Sequence, residues 1–194
     1  INFFDTANAY SAGSSEEIVG RALRDMTNRD NVVIATKVFF PMRADEGGRN
    51  SIGLSRKAIM QELEHSLRRL GTDYIDLYQI HRPDMFAHPL QVADTLSSLV
   101  AEGKIRAVGV SNHTPAQHDA LAAHLDIPLA TSQPEYSPAF LGPLRDGTLD
   151  LCMRDGVVPL AWSPLGGGRL MSGDGVRPEL IATDPLQIPS RFES

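Results

Sequence analysis

Four residues of different chemistry stand at or just beyond the ends of short apolar runs: Asp5, Tyr10, Lys37 and His81. An aspartate and a lysine at neighbouring strand ends would form an ion pair, and a single pair of that kind reads as a structural salt bridge. A lone tyrosine in the following loop reads as packing, and a lone histidine after a strand as a satisfied structural side chain. Their conjunction at one end of a sheet points elsewhere. A phenol titrates near pH 10, and an ammonium beside it favours the phenolate and lowers that value. A phenol tuned in this way can deliver a proton near neutral pH, which is the acid that reduction of a carbonyl requires. The same lysine could instead attack a carbonyl as a Schiff-base nucleophile, since barrel lyases use strand-end lysines. That reading leaves Asp5 beside a lysine that ought to be neutral.

The elements that would position these groups alternate. Apolar runs at 1–4, 32–36, 75–80, 105–110, 129–132 and 157–161 are short, rich in Ile, Val, Leu and Phe, and barely alternating, as strands covered on both faces should be. Amphipathic stretches lie between them. Ser14-Ser15-Glu16-Glu17 reads as an N-cap with an acidic first turn, followed by Ile18, Val19, Ala22 and Leu23 at helical spacing. Ser55 caps a second helix that Gly71 closes. Segments 90–103, 114–125 (with Pro115 at the first helical position) and 149–156 give three more. Alternation of this kind predicts a parallel sheet with right-handed crossovers. Residues 41–53 read as a long loop, and ordered loops of that length tend to be functional.

Six strands fit either a doubly wound sheet or most of a (β/α)₈ barrel. The glycine-rich G-x-G-x-x-G turn of a dinucleotide-binding sheet does not follow the first strand. The strand ends carry polar or reactive groups throughout: Asp5, Lys37, His81, Ser111-Asn112, Gln133 and Trp162-Ser163. A barrel gathers such ends at one mouth, where its chemistry sits.

The segments Asp5-Thr6-Ala7-Asn8-Ala9-Tyr10, Ala35-Thr36-Lys37 and Gln79-Ile80-His81-Arg82 resemble the motifs of the aldo-keto reductase family. So do residues 67–77 and 103–112, so that the likeness runs over almost the whole chain. The resemblance implies a (β/α)₈ TIM barrel of α/β class, of which this chain supplies strands two to seven and lacks the first strand and the last βα unit. It implies a tetrad in which Tyr10 is the general acid, Lys37 tunes it, Asp5 holds Lys37 and His81 orients the carbonyl. It implies a nicotinamide cofactor, NADP(H) with NAD(H) left open. Ser111, Asn112 and Gln133 match the carboxamide contacts, Trp162 the aromatic platform, and Ser163, Pro164, Leu165, Gly166 and Gly167 the loop that wraps the pyrophosphate. Arg191 matches a residue that contacts the adenosine end. Ser11 stands where many members carry glycine. Residues 1 to about 85 look most like aryl-alcohol dehydrogenase members, and residues 105–170 like another bacterial branch. The partner so implied is a small aldehyde or ketone; a regulatory cofactor-binding barrel like the cytoplasmic subunits of potassium channels is the alternative.

The rest of the composition narrows the field. A formal net charge of −6 argues against a nucleic-acid surface. No apolar run approaches the roughly 20 residues of a membrane helix, and no signal sequence is visible. The single cysteine, Cys152, excludes an intrachain disulfide and reads as a small buried hydrophobe. A cytoplasmic location is the resulting expectation. Metal-ligand spacing is not found around His81, so no metal is expected. His113, His118 and His124 lie in or near one helix and read as surface residues. Residues 1–194 read as a single domain whose two ends look cut.

Overall fold

The computed structural model describes residues 1–41 and 52–172. Six strands run in chain order: β1 (Phe3–Asp5), β2 (Val33–Val38), β3 (Ile75–Ile80), β4 (Ile105–Ser111), β5 (Leu129–Gln133) and β6 (Val158–Pro159). All neighbours are parallel, in the order β1-β2-β3-β4-β5-β6. A doubly wound sheet would reverse its order at a switch point; this one never does. The helices are α1 (Ser14–Met26), α2 (Arg56–Leu70), α3 (Pro89–Ala101), α4 (Pro115–Ala122), α5 (Gly142–Arg145), α6 (Thr148–Asp155) and α7 (Arg169–Ser172).

Side chains show that the sheet curls. Gln79 Nε2 on β3 and Gln133 Nε2 on β5 both donate to the carboxylate of Asp5 on β1, at 2.8 and 3.3 Å. Strands two and four places apart in a flat sheet could not meet in this way. The sheet is therefore an arc of a (β/α) barrel, and its two faces differ in kind. Ile34 and Val38 of β2, Tyr78 and Ile80 of β3, and Val108 and Val110 of β4 point outward into an apolar layer with Ile59, Leu63, Leu70, Leu96 and Leu99 of the helices. The alternate positions point inward. Registers set Lys37 beside Gln79, Gln79 beside Gly109, and Gly109 beside Thr131. A Cβ on Gly109 would lie 2.1 Å from Thr131 Oγ1 and 3.2 Å from Gln79 Cγ. Glycine there makes room for a polar row inside the barrel.

Local signals decide where the helices begin and end. Ser55 Oγ accepts from Ala58 N, and Gly71, at φ 65°, closes α2. Thr114 and Gln117 form a reciprocal capping box with Pro115 at the first position of α4. The start of α1 departs from the expectation. Its N-cap is Gly13 at φ 87°, and the Ser14 hydroxyl donates to Ser11 O instead of accepting from the helix. The cause is a left-handed turn through Ser11, Ala12 and Gly13, which delivers the chain into the helix one residue earlier than a serine cap would. The first strand begins at Phe3 and not at residue 1. The last is cut short at Pro159, whose missing N–H cannot extend a ladder. The chain beyond it still follows β5, with Leu160 N donating to Ser132 O at 2.8 Å and Trp162 N to Pro134 O at 3.0 Å.

His118 and His113 correct the surface reading: His118 is 3% exposed, because α4 turns it toward α6, and His113 is half-buried with its Nδ1 3.0 Å from Ser111 O. Cys152 is buried as expected, and burial raises its thiol. Among the described residues no helix is long and apolar enough to cross a membrane. Most of the expected long loop, 42–51, lies outside the described residues, as does Arg191.

Candidate active site

The end of β2 supplies a buried cation at the barrel axis. Lys37 is 0% exposed, and its ammonium donates to Asp5 Oδ2 at 2.6 Å, Thr6 O at 2.9 Å and Tyr10 Oη at 3.2 Å. All three partners come from β1 and the segment after it, so one side chain ties the first βα loop to the second strand. Asp5 is 28% exposed on its side chain and accepts from Gln79 and Gln133 as well. Its charge is thereby shared among an ammonium and two amides. A nucleophilic lysine must be accessible to its carbonyl; Lys37, enclosed in this way, is not.

Tyr10 opens the left-handed turn that leads into α1, with its N donating to Ala7 O at 3.1 Å. It is 42% exposed: the phenol oxygen reaches inward to Lys37 while part of the ring faces solvent. The Lys37 ammonium also lies 4.8 Å from the ring centroid. A positive charge so close is placed to take up the negative charge left when the phenol gives up its proton.

His81 follows β3, its N donating to Val38 O at 2.9 Å. Its ring stands edge-on to Tyr10 at 5.7 Å and to Phe40 at 5.0 Å between centroids. Burial, reinforced by the charges of Lys37 and Arg82 and opposed by Asp5, lowers its pKa to about 4. The imidazole is therefore neutral at neutral pH and carries one N–H. Its Nδ1 is buried without a hydrogen-bond partner among the described residues.

The remaining strand ends complete the mouth. Trp162 Nε1 donates to Asn112 Oδ1 at 3.0 Å, and Asn112 Nδ2 donates to Ser111 Oγ at 2.8 Å and to His81 O at 3.3 Å. Ser111 Oγ donates to Gln133 O at 2.8 Å. Asn112 takes φ 58°, a conformation asparagine tolerates better than most residues, and this swings its amide back over β4. Ser163 turns left-handed at φ 49° and its carbonyl accepts from Gly166 N at 2.8 Å. Pro164 and Leu165 are exposed, and Gly166, Gly167 and Gly168 all have positive φ. A Cβ on Gly167 or Gly168 would meet nothing within 4 Å, so this backbone is bare toward the solvent.

The structure thus gathers Asp5, Tyr10, Lys37 and His81, and it links Ser111, Asn112, Gln133 and Trp162 to them through hydrogen bonds. Gln79 and Thr131 were not singled out as site residues from sequence; Gln79 shares β3 with Asp76, and Thr131 shares β5 with Ser132 and Gln133, so neither stood out by being polar. One other group with ligating side chains occurs among the described residues, His118, Asp119 and Asp155, on the helix layer. Arg154 already bridges its two carboxylates at 2.6 and 2.7 Å.

Comparison with known proteins agrees with this geometry. The model of the Aldo/keto reductase family matches residues 1–179. A 6-dehydroglucose reductase of Novosphingobium aromaticivorans is 44% identical over 191 residues, covering 94% of this chain and 60% of the relative. A Schizosaccharomyces pombe protein carrying a voltage-gated potassium channel beta-subunit name is 36% identical over 91% of this chain and 53% of its own length. A crystal structure of a thermostable aldo-keto reductase in complex with the inhibitor epalrestat superposes with a TM-score of 0.75 at 33% identity, over 84% of this chain and 56% of that one. The chain thus spans no more than three-fifths of the length of these relatives, and across that span it belongs to the aldo/keto reductase family.

Proposed function

We propose that this mouth reduces an aldehyde or ketone to an alcohol with Tyr10 as proton donor. The observation that carries the reading is the contact between Lys37 Nζ and Tyr10 Oη at 3.2 Å, made by a lysine that is itself anchored on Asp5. As the carbonyl oxygen gains negative charge, Tyr10 gives it the phenolic proton, and Lys37 stabilises the phenolate that remains. Asp5, held by Gln79 and Gln133, keeps the ammonium in place. His81, neutral because it is buried, offers its one N–H to the carbonyl oxygen and so aligns it beside Tyr10.

The residues present fit a nicotinamide dinucleotide. A half-buried indole beside two amides and a hydroxyl suits a flat ring bearing a carboxamide, and the bare glycine backbone after Ser163 suits a pyrophosphate. When bound, the reduced nicotinamide supplies the hydride. Trp162 would carry the ring on its face, with Asn112 and Ser111 orienting the amide, and Gln133 standing between that group and Asp5. NADP(H) is the cofactor we assign.

Tyr10→Phe is the test. Steady-state reduction of a panel of aldehydes should fall on the order of 10²–10⁴-fold while cofactor affinity holds, since only the acid is removed. A variant that keeps more than about a tenth of wild-type turnover sinks the role of Tyr10. A second reading, a regulatory barrel that holds cofactor and senses its redox state, draws on the likeness to the channel beta-subunit protein. Slow turnover together with cofactor retained through gel filtration would favour it.

A further inference from the structure

Behind the mouth lies a polar cluster that the proposed reaction does not use. Two carboxylates, Glu16 and Glu62, are buried between the helices and β2. Glu16 is well satisfied, accepting from Thr36 Oγ1 at 2.5 Å and Arg69 Nε at 2.6 Å. Glu62, in the middle of α2, is 1% exposed; Asn8 Nδ2 donates to its Oε2 at 3.0 Å, and His65 Nδ1 lies 3.7 Å from its Oε1. A carboxylate taken out of water in this way is costly unless it is hydrogen-bonded. A residue retained there calls for an account of what it holds.

What it holds is Asn8. This fully buried residue sits between Asp5 and Tyr10 in the chain. Its Nδ2 also donates to Phe40 O at 3.1 Å, and its backbone N to Lys37 O at 3.4 Å. Asn8 Oδ1 is buried and has no partner among the described residues, so the amide is oriented for what it donates. Its two acceptors tie it to separate elements: one is in α2, the other is the carbonyl of the residue whose ring stands edge-on to His81. Past Tyr10 the chain turns through Ser11 and Ala12 at φ 47° and 50°, a region that side chains with a Cβ resist. A segment bent in this way stays put only when its neighbours over-determine it.

We propose that Asn8 and Glu62 form a clamp that positions Tyr10: the buried carboxylate of α2 fixes the Asn8 amide, the amide fixes segment 6–10 on β2, and the phenol is thereby kept within reach of Lys37. The inference rests on the reading of Tyr10 as proton donor. Both are positioning residues; neither touches the reacting atoms.

Glu62→Leu and Glu62→Gln separate positioning from mere packing, because glutamine keeps an acceptor for Asn8 and leucine does not. E62L should lower kcat roughly 10- to 100-fold, the scale of about an ångström of misplacement, with KM for the cofactor unchanged. E62Q should stay within about threefold of wild type, since the hydrogen bond survives. Hydrogen exchange on the amides of residues 6–13 should quicken in E62L and not in E62Q, while the β3 and β4 amides keep wild-type protection. Should E62L fail to fold, Asn8→Ser, which withdraws the amide at little cost in volume, carries the same expectations. Wild-type kcat in E62L, equal damage in E62Q, or unchanged exchange on 6–13 in a folded E62L each overturns the clamp. A wild-type chain that turns over no carbonyl sinks the reductase reading instead, and the exchange measurement then decides the clamp by itself.

Discussion

Replacing Lys37 with methionine tests the centre of the site because two consequences of the change can be separated. Methionine matches the aliphatic stem and removes the ammonium, which makes three contacts of 2.6, 2.9 and 3.2 Å. Breaking a buried ion pair by removing one partner costs about 3–5 kcal/mol, because the other charge is stranded. Here the stranded group is Asp5, which is 28% exposed and keeps amide donors from Gln79 and Gln133, so a cost at or just below the bottom of that range, about 2–3 kcal/mol, is expected. For a chain of this length that is a fall in Tm of roughly 5–10 °C by circular dichroism or calorimetry. On the proposed reading turnover should fall further, on the order of 10³-fold, since the charge assigned to stabilise the phenolate is gone. Adding Asp5→Asn removes the stranded carboxylate. Lys37→Met/Asp5→Asn should therefore recover most of the lost Tm and none of the lost turnover. If the pair recovers both, Lys37 acts by holding the fold and not by serving Tyr10. If Lys37→Met melts at the wild-type temperature, the ion pair does not bear on stability as argued.

Three further outcomes follow from the same structure. Trp162 is the only tryptophan, so its emission should be quenched when NADPH is added, and Trp162→Ala should weaken binding; unchanged emission at saturating cofactor removes the indole from the cofactor site. Gly20→Ala should destabilise by on the order of 1–3 kcal/mol, because the new Cβ would lie 2.3 Å from Leu70 O and the backbone of α2 must move. A variant with unchanged or raised Tm would show that α1 and α2 are not in such close contact. Burial leaves His81 and His113 with pKa values of about 4 in the folded chain, against an ordinary value near 6.5. The unfolded chain thus binds protons that the folded one refuses, so stability is full above about pH 6.5 and declines as pH falls toward 4. Replacing both histidines with glutamine should flatten that decline in a Tm-against-pH series, and an unaltered slope would exclude them as its source.

The strands were legible because burial on both faces leaves a dense apolar signature, and the helix caps because Ser55, Gly71, Thr114 and Pro115 act within one turn of themselves. Reactive groups could be placed at one end of the sheet by noting where each apolar run stopped. What sequence did not disclose were the contacts between distant elements. Gln79 belongs to the site only because β3 faces β1 across a curled sheet. Nothing in the sequence marks Glu62 apart from the other polar residues of its helix, and its burial depends on the side from which α2 meets β2. The same holds for His118, which local spacing makes a surface residue and the approach of α6 buries. The left-handed entry to α1 was hidden for another reason: Ser11 and Ala12 have no intrinsic preference for it, and the conformation is imposed by what lies on either side.

One route of hydrogen bonds crosses the mouth. It runs from Trp162 Nε1 to the Asn112 amide, on to Ser111 and the Gln133 carbonyl, from the Gln133 side chain to Asp5, and through Lys37 to Tyr10. Five of the six strands contribute to it or end beside it, with links of 2.6 to 3.3 Å. An arrangement of this kind explains why the interior of the barrel is polar just below the mouth while its outer face is apolar. Packing alone would favour leucine or valine at positions 79 and 131; a charged pair held at the strand ends needs amides and hydroxyls instead. The stability forgone in the polar row is recovered on the outer face, where Ile34, Tyr78, Ile80, Val108 and Val110 pack under the helices, and the site can therefore sit on strands that the rest of the fold holds rigid.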